Sequence, residues 1–294
     1  MKMVCCDFIA FFTGGIIMSE FSWPTGPISI RVTSDLLFKH LLQDSENLLR
    51  ELICSLLHLD PSDINKTEVT NPILLGQELD EKTVILDVNV LMNDNTNIDL
   101  EMQVINYGNW IERSVFYSTR NFGDLKSGDP YEKVKPSIHI GFLAFSPFED
   151  YEKFYSLNQL MDTEDHHVYT EKLAVGYVDM TRIELATDID KHYNIDKWAK
   201  FFKATTWEEI CMLVQEYPIM EEAASNLRRL SEEERFKLQQ EAWEDRQRCV
   251  NGLRMQLDQA KKEADEAKKE TAIARKEADV FRQQLIEAGI TPKE

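Results

Sequence analysis

The chain has 294 residues, 43% of them hydrophobic, with a formal net charge of −19 from 33 basic against 52 acidic residues. That is enough chain for one good-sized folded domain plus an extension, and the acid excess opposes nonspecific adhesion to nucleic acid and to anionic membranes. Any contact with phosphate therefore has to come from a local basic strip, for which Lys39, Arg113, Arg120, Lys126, Lys133 and Lys135 qualify unless they are ordinary solvated surface.

Residues 1–30 read as an N-terminal extension. In MKMVCCDFIAFFTGGIIM a lysine precedes an apolar run, but Asp7 and the Gly14-Gly15 pair interrupt it, it is too short to span a bilayer, and no small-x-small cleavage site follows. The expectation is a mis-set start, with Met18 as the working initiator, and no membrane helix anywhere in the chain. A helix is predicted over 33–58: Thr33 and Ser34 offer an N-cap, and Leu37, Leu41, Leu48, Leu49, Leu52, Ile53, Leu56 and Leu57 keep helical spacing, interrupted near Asp44-Ser45. Asp35 reads first as a capping residue. Cys5, Cys6, Cys54, Cys211 and Cys249 form no CxxC pair and have no matching histidines, which indicates neither a disulfide framework nor a zinc site and implies a reducing, cytoplasmic setting.

Two alternating patterns follow, TVILDVNV (83–90) and NIDLEMQVI (97–105), joined by the turn-like MNDNT. They predict a β-hairpin. Val84, Leu86, Val88, Val90, Ile98, Leu100, Met102 and Val104 share an apolar face, whereas Asp87, Asn89, Asp99, Glu101 and Gln103 share the other. A turn centred on Asp94 sets Asp87 opposite Glu101, and like charges about 5 Å apart across a strand pair repel. Two readings meet that fact. A divalent cation such as Mg²⁺ would compensate the pair, or the face is the solvated side of a sheet edge.

The next helix is predicted over 110–122, with Ile111, Val115 and Phe122 toward the core and Trp110, Arg113, Tyr117 and Arg120 on a second stripe. That aromatic and basic stripe suits phosphates and bases, and equally suits packing against the sheet with snorkelling arginines. Strands are predicted near 138–146 and 172–180. SIHIGFLAF is apolar enough to be buried on both sides, which makes His139 a satisfied core histidine, while His166 and His167 sit in a solvated turn. Trp198, Phe201, Phe202 and Trp207 mark a helical segment closing a globular domain over 31–215. Residues 216–290 read as a helical tail. Val250, Leu253, Leu257, Ala260, Ala264, Ala267, Thr271, Ala274, Ala278, Phe281 and Leu285 recur in steps of three and four, which predicts a coiled coil and, most simply, a homodimer. A single solvated helix stabilised by i to i+4 charge pairs is the alternative.

An aspartate, a strand–turn–strand gap and then Glu-x-Gln resembles the hairpin of the PD-(D/E)XK nucleases. The order of short motifs resembles one branch in particular, the PD-(D/E)XK family transposases: Asp35, Phe38 and Lys39 before an apolar helix, Asn71-Pro72, Leu86-Asp87-Val88, Glu101-Met102-Gln103, Arg113 and Tyr117 on a helix, then Gly128, Tyr131 and Pro136 before a hydrophobic strand. The resemblance covers roughly 31–210. It implies an α/β, restriction-endonuclease-like core, a mixed sheet flanked by helices, ahead of the helical tail. It further implies a DNA endonuclease in which Asp87, Glu101 and the backbone carbonyl of Met102 hold Mg²⁺ or Mn²⁺, with Gln103 positioning a water or phosphate oxygen, Arg113 neutralising developing charge, Lys39, Tyr117 and Arg120 toward DNA, and Asp35 as an additional acid. Gln103 stands where the superfamily motif has lysine; an amide orients by hydrogen bonding but supplies no charge and no base. Asn89 stands where members of the branch often carry a basic residue. Three classes stay open on sequence: a metal-dependent endonuclease, a nuclease fold that has lost cleavage and binds DNA or protein, and a coiled-coil scaffold. No GxSxG elbow, HExxH helix or GxxxxGK loop is present.

Overall fold

The computed structural model describes residues 23–64, 67–70, 88–92, 96–122, 125 and 128–287. The proposed initiator Met18, the Asn71-Pro72 motif, Asp87 and Lys126 lie outside the described residues. The stretch expected as one helix over 33–58 is two, α1 (Asp35–Gln43) and α2 (Glu46–Leu57). Ser34 caps the first, its side chain accepting the Leu37 amide, and Ser45 caps the second in the same way through Leu48. The interruption read at Asp44-Ser45 is thus a second helix start.

Among the described residues six strands form one sheet in the order β1-β2-β3-β4-β6-β5: β1 (Thr67–Val69), β2 (Val88–Met92), β3 (Asn97–Gln103), β4 (Ser137–Leu143), β5 (Tyr155–Met161) and β6 (Val168–Asp179). Strand β3 pairs antiparallel with β2 and parallel with β4; β4 pairs parallel with β6, and β5 closes the far edge antiparallel. Val88 faces Leu100, Asn89 faces Asp99 and Val90 faces Ile98, the register of a turn centred on residue 94. Strand β1 and the edge strand β5 have no counterpart in the sequence reading.

Alternation along β3 and β4 sends two chemistries to two faces. Ile98, Leu100, Met102, Ile140 and Phe142 are buried on the side of α1, where Phe142 packs 5.8 Å from Phe38 and 5.0 Å from Phe202. Burying each such side chain contributes about 2 kcal/mol. The other face receives α3 (Trp110–Phe122), which packs on β4 and β6. Here the expected faces are reversed: Ile111 and Val115 are 40% and 47% exposed, while Trp110, Ser114 and Ser118 are buried. The contact surface is built from small residues. Ser118 donates to the Ala174 carbonyl at 3.3 Å, Ser137 donates to the Ser118 carbonyl at 2.9 Å, and Gly141 makes room for the Trp110 ring. A branched side chain on that helix face would hold the helix off the sheet.

Helices α4 (Asp188–His192), α5 (Ile195–Lys203), α6 (Trp207–Glu216) and α7 (Ile219–Glu232) complete the head, with Trp198, Phe201 and Phe202 fully buried. Helix α7 falls in the expected tail segment, yet it packs on α1, α2 and α6 through buried Met220, Ala223, Ala224, Leu227 and Leu230. Pro218, at its N-cap, opens a further helix of the head. The compact unit runs to Gln240, and residues 241–294 form a second unit made largely of the long helix α8 (Glu234–Glu287). In that unit Leu253 and Leu257, two of the expected seam residues, are 61% and 55% exposed. Among the described residues no helix is long and apolar enough to cross a membrane.

Candidate active site

Strand β3 delivers Asp99, Glu101 and Gln103 to the face covered by α3, and all three are buried. The reading of this face as a solvated sheet side is therefore corrected: the helix that follows β3 folds back over it. Parallel pairing then sets His139 beside Asp99 and Gly141 beside Glu101. His139 Nδ1 lies 2.9 Å from Asp99 Oδ2, and its Nε2 lies 3.7 Å from Glu101 Oε2. His139 is a buried histidine with a partner, as expected, but it belongs to the acidic cluster and not simply to an apolar core.

The third wall comes from α3. Arg113 grips both oxygens of Glu101, Nη2 on Oε1 at 2.6 Å and Nε on Oε2 at 3.3 Å. Its guanidinium also sits 5.1 Å from the centre of the Tyr117 ring, and Tyr117 stacks on His139 at 6.0 Å with an interplanar angle of 10°. Trp110 closes the inner end, 5.5 Å from the His139 ring and directly over Gly141. Burial pushes the Glu101 carboxyl above its ordinary range, while Arg113 and then His139 pull it back.

Asp35 is not the cap that the sequence favoured, since Ser34 fills that role. It stands in the first turn of α1, and its pKa is raised to about 7, first by burial and then by the charge of Glu101. Proximity to Glu101 is what places it in the cluster. Gln103 donates its amide to the Ile105 carbonyl at 2.9 Å, which fixes how that amide is presented. The Met102 side chain is buried on the opposite face.

The proposed basic strip is not gathered at the cluster as a unit. Arg113 is there. Lys39 is buried in α1 and does not belong to a surface strip, while Arg120, Lys133 and Lys135 are exposed, Lys133 pairing with Asp129 at 3.0 Å. Sequence reasoning gave no role to Asp99 and missed the setting of His139 and Gly141. The alternation of SIHIGFL put His139, Gly141 and Leu143 on one side, but only the parallel register with β3 reveals what they face.

A family model for PD-(D/E)XK nuclease family transposases matches residues 32–260. The chain belongs to this family. No curated protein and no solved structure matches it. In this chain β3 carries the Glu101-Met102-Gln103 motif and β2 opens on Val88, the last residue of the Leu86-Asp87-Val88 motif, whose Leu86 and Asp87 lie outside the described residues. Asn89 is paired with Asp99 across β2 and β3.

Nucleases of this type use divalent metals, and the donors can be tested against that. Among the described residues no group of three or more His, Cys, Asp or Glu is arranged to hold a metal ion. The carboxylates that are present supply hard oxygen donors, the class that Mg²⁺ prefers, and Asp99 Oδ1 is buried with no hydrogen-bond partner among the described residues. In donor type, though not in number among the described residues, this chemistry suits such a cation.

Proposed function

We propose that this family member is a metal-dependent DNA endonuclease that hydrolyses phosphodiester bonds, of the kind associated with recombination or mobile elements. The observation that carries the reading is Glu101: a carboxylate buried on a central strand, beside a second buried acid and an acid whose pKa is raised, and held by one arginine at its outer side. Structural stability alone gives little reason to keep so many desolvated acids together. Sites that hold cations do.

In this reading Asp87, Glu101 and the Met102 carbonyl would hold Mg²⁺ or Mn²⁺, which would supply a water of lowered pKa and offset charge on the scissile phosphate. Gln103 orients that water or a phosphate oxygen by hydrogen bonding. Arg113 takes up negative charge building on the phosphate, with Tyr117 beneath its guanidinium, and Arg120 on the exposed side of α3 meets the DNA backbone. The tail pairs two copies through its exposed seam. Cys54 and Cys211 form no disulfide among the described residues, which suits a reducing cytoplasm.

A second reading has one specific support. Arg113 and His139 already satisfy much of the acidic cluster internally, and Asn89 and Gln103 depart from the usual residues, as in a nuclease fold that binds DNA or protein without cutting. Plasmid nicking with Mg²⁺ or Mn²⁺ separates the two. The endonuclease reading requires nicking by the wild type and its loss in Asp87→Ala and in Glu101→Ala; equal activity in the variants identifies a contaminant and overturns it.

A further inference from the structure

We propose that Arg113 is an exchange cation: it occupies Glu101 in the metal-free protein, then yields that carboxylate to a divalent ion and passes its guanidinium to a phosphate of DNA. The proposal rests on the endonuclease reading and adds a coupling between metal and nucleic acid that the reading does not contain.

The hold on Glu101 is a two-point fork that engages both carboxylate oxygens, the geometry in which arginine binds carboxylates and phosphates interchangeably. An ion arriving at Glu101 meets that fork, because its positive charge and the guanidinium compete for the same two oxygens. The two groups that flank Glu101 differ in their freedom to leave. His139 is fully buried, hydrogen-bonded to Asp99 and covered by Trp110 and Tyr117. Arg113 is 33% exposed where Glu101 is 5% exposed, so the guanidinium lies on the solvent side of the carboxylate. The Tyr117 ring face at 5.1 Å offers a second attraction that does not depend on Glu101. The backbone need not move, since Trp110, Ser114 and Ser118 hold α3 to the sheet on either side of position 113. A buried carboxylate without a partner is destabilising, which gives the placeholder its role when no ion is bound.

Linkage then works in both directions. DNA that draws Arg113 away raises metal affinity, and metal that displaces Arg113 raises DNA affinity by the same factor.

The test is Mn²⁺ binding to the full chain, followed by the loss of the free-ion EPR signal, with Glu101→Gln as the background. Arg113→Gln is expected to bind Mn²⁺ on the order of tenfold more tightly than the wild type, and Arg113→Lys, which keeps charge but loses the fork, falls between them. A short DNA duplex should tighten Mn²⁺ binding to the wild type and leave Arg113→Gln unchanged. In urea, metal-free Arg113→Gln should unfold earlier than the wild type and regain the difference when Mn²⁺ is added. Equal or weaker Mn²⁺ binding by Arg113→Gln, with the wild type binding, overturns the exchange while the endonuclease reading stands. If Arg113→Gln does not fold, Arg113→Lys decides: tighter binding than wild type supports the exchange and equal binding overturns it. No Mn²⁺ binding in any of them overturns both.

Discussion

The Trp110 ring rests on Gly141 so closely that a β-carbon at position 141 would stand 2.1 Å from Cη2 and 2.6 Å from Cζ2 of the indole. No side chain fits there unless the first turn of α3 lifts. Gly141→Ala should therefore destabilise the head by about 2 kcal/mol, the scale of overpacking in a filled core. Arg113 lies one turn beyond Trp110, so the same substitution should loosen its grip on Glu101. Urea unfolding checks the first effect, and recovery in the double variant Gly141→Ala/Trp110→Leu ties it to this contact.

His139 supplies the hydrogen bond that holds Asp99 in a site without water access. Replacing it by alanine leaves a buried acid unpaired, and the expected loss is about 3 kcal/mol. Adding Asp99→Asn should return much of that stability, because the neutral amide is less costly to bury alone. A double variant no more stable than His139→Ala would show that the ring contributes through packing with Trp110 and Tyr117 instead.

Stability should fall with rising pH through the titration of Asp35. Its pKa is about 7 in the folded chain against about 3.9 when unfolded, so the folded state binds the proton more tightly. The contribution is complete below about pH 4 and is lost as pH climbs toward 7. Asp35→Asn removes the dependence, and at pH 8 the variant should be the more stable protein by about 2 kcal/mol. Denaturant titrations of both proteins at pH 4 and pH 8 provide the comparison; an unchanged difference between them would place the carboxyl in water.

The seam of α8 should carry self-association. Light scattering is expected to give a dimer for the full chain and a monomer for Leu253→Lys/Leu257→Lys, because charges at apolar seam positions oppose pairing. The many alanines bury little area, so dissociation should already appear at micromolar concentration. A monomeric wild type would leave α8 as a lone helix supported by charge pairs such as Arg248 with Glu244 and Lys268 with Asp265.

Much of the central sheet was legible because alternation and the turn together determine register: the pairs Val88 with Leu100 and Asn89 with Asp99 follow from TVILDVNV and NIDLEMQVI. The burial of Asp99 and Glu101 was not, since it depends on a helix later in the chain. For α3 a hydrophobicity argument chose Ile111 and Val115 for the core, whereas close approach to β4 selected Ser114 and Ser118. Strand β5 escaped notice because YSLNQLM lies at a sheet edge with most of its residues exposed, and so shows no apolar face. Helix α7 buries mainly alanine and leucine at helical spacing, a pattern that a tail helix also shows. The Glu101 motif was visible, while the setting of His139, forty residues beyond its partner Asp99, was not.

That separation has a consequence for biosynthesis. Strands β3 and β4 lie side by side and run the same way, so Asp99 and Glu101 acquire their surroundings only after the whole connecting segment has emerged and docked. A ribosome-bound fragment ending before β4 would carry the acids without His139 and Gly141 beside them. The surroundings of these acids are thus completed late, once β4 has emerged and paired with β3.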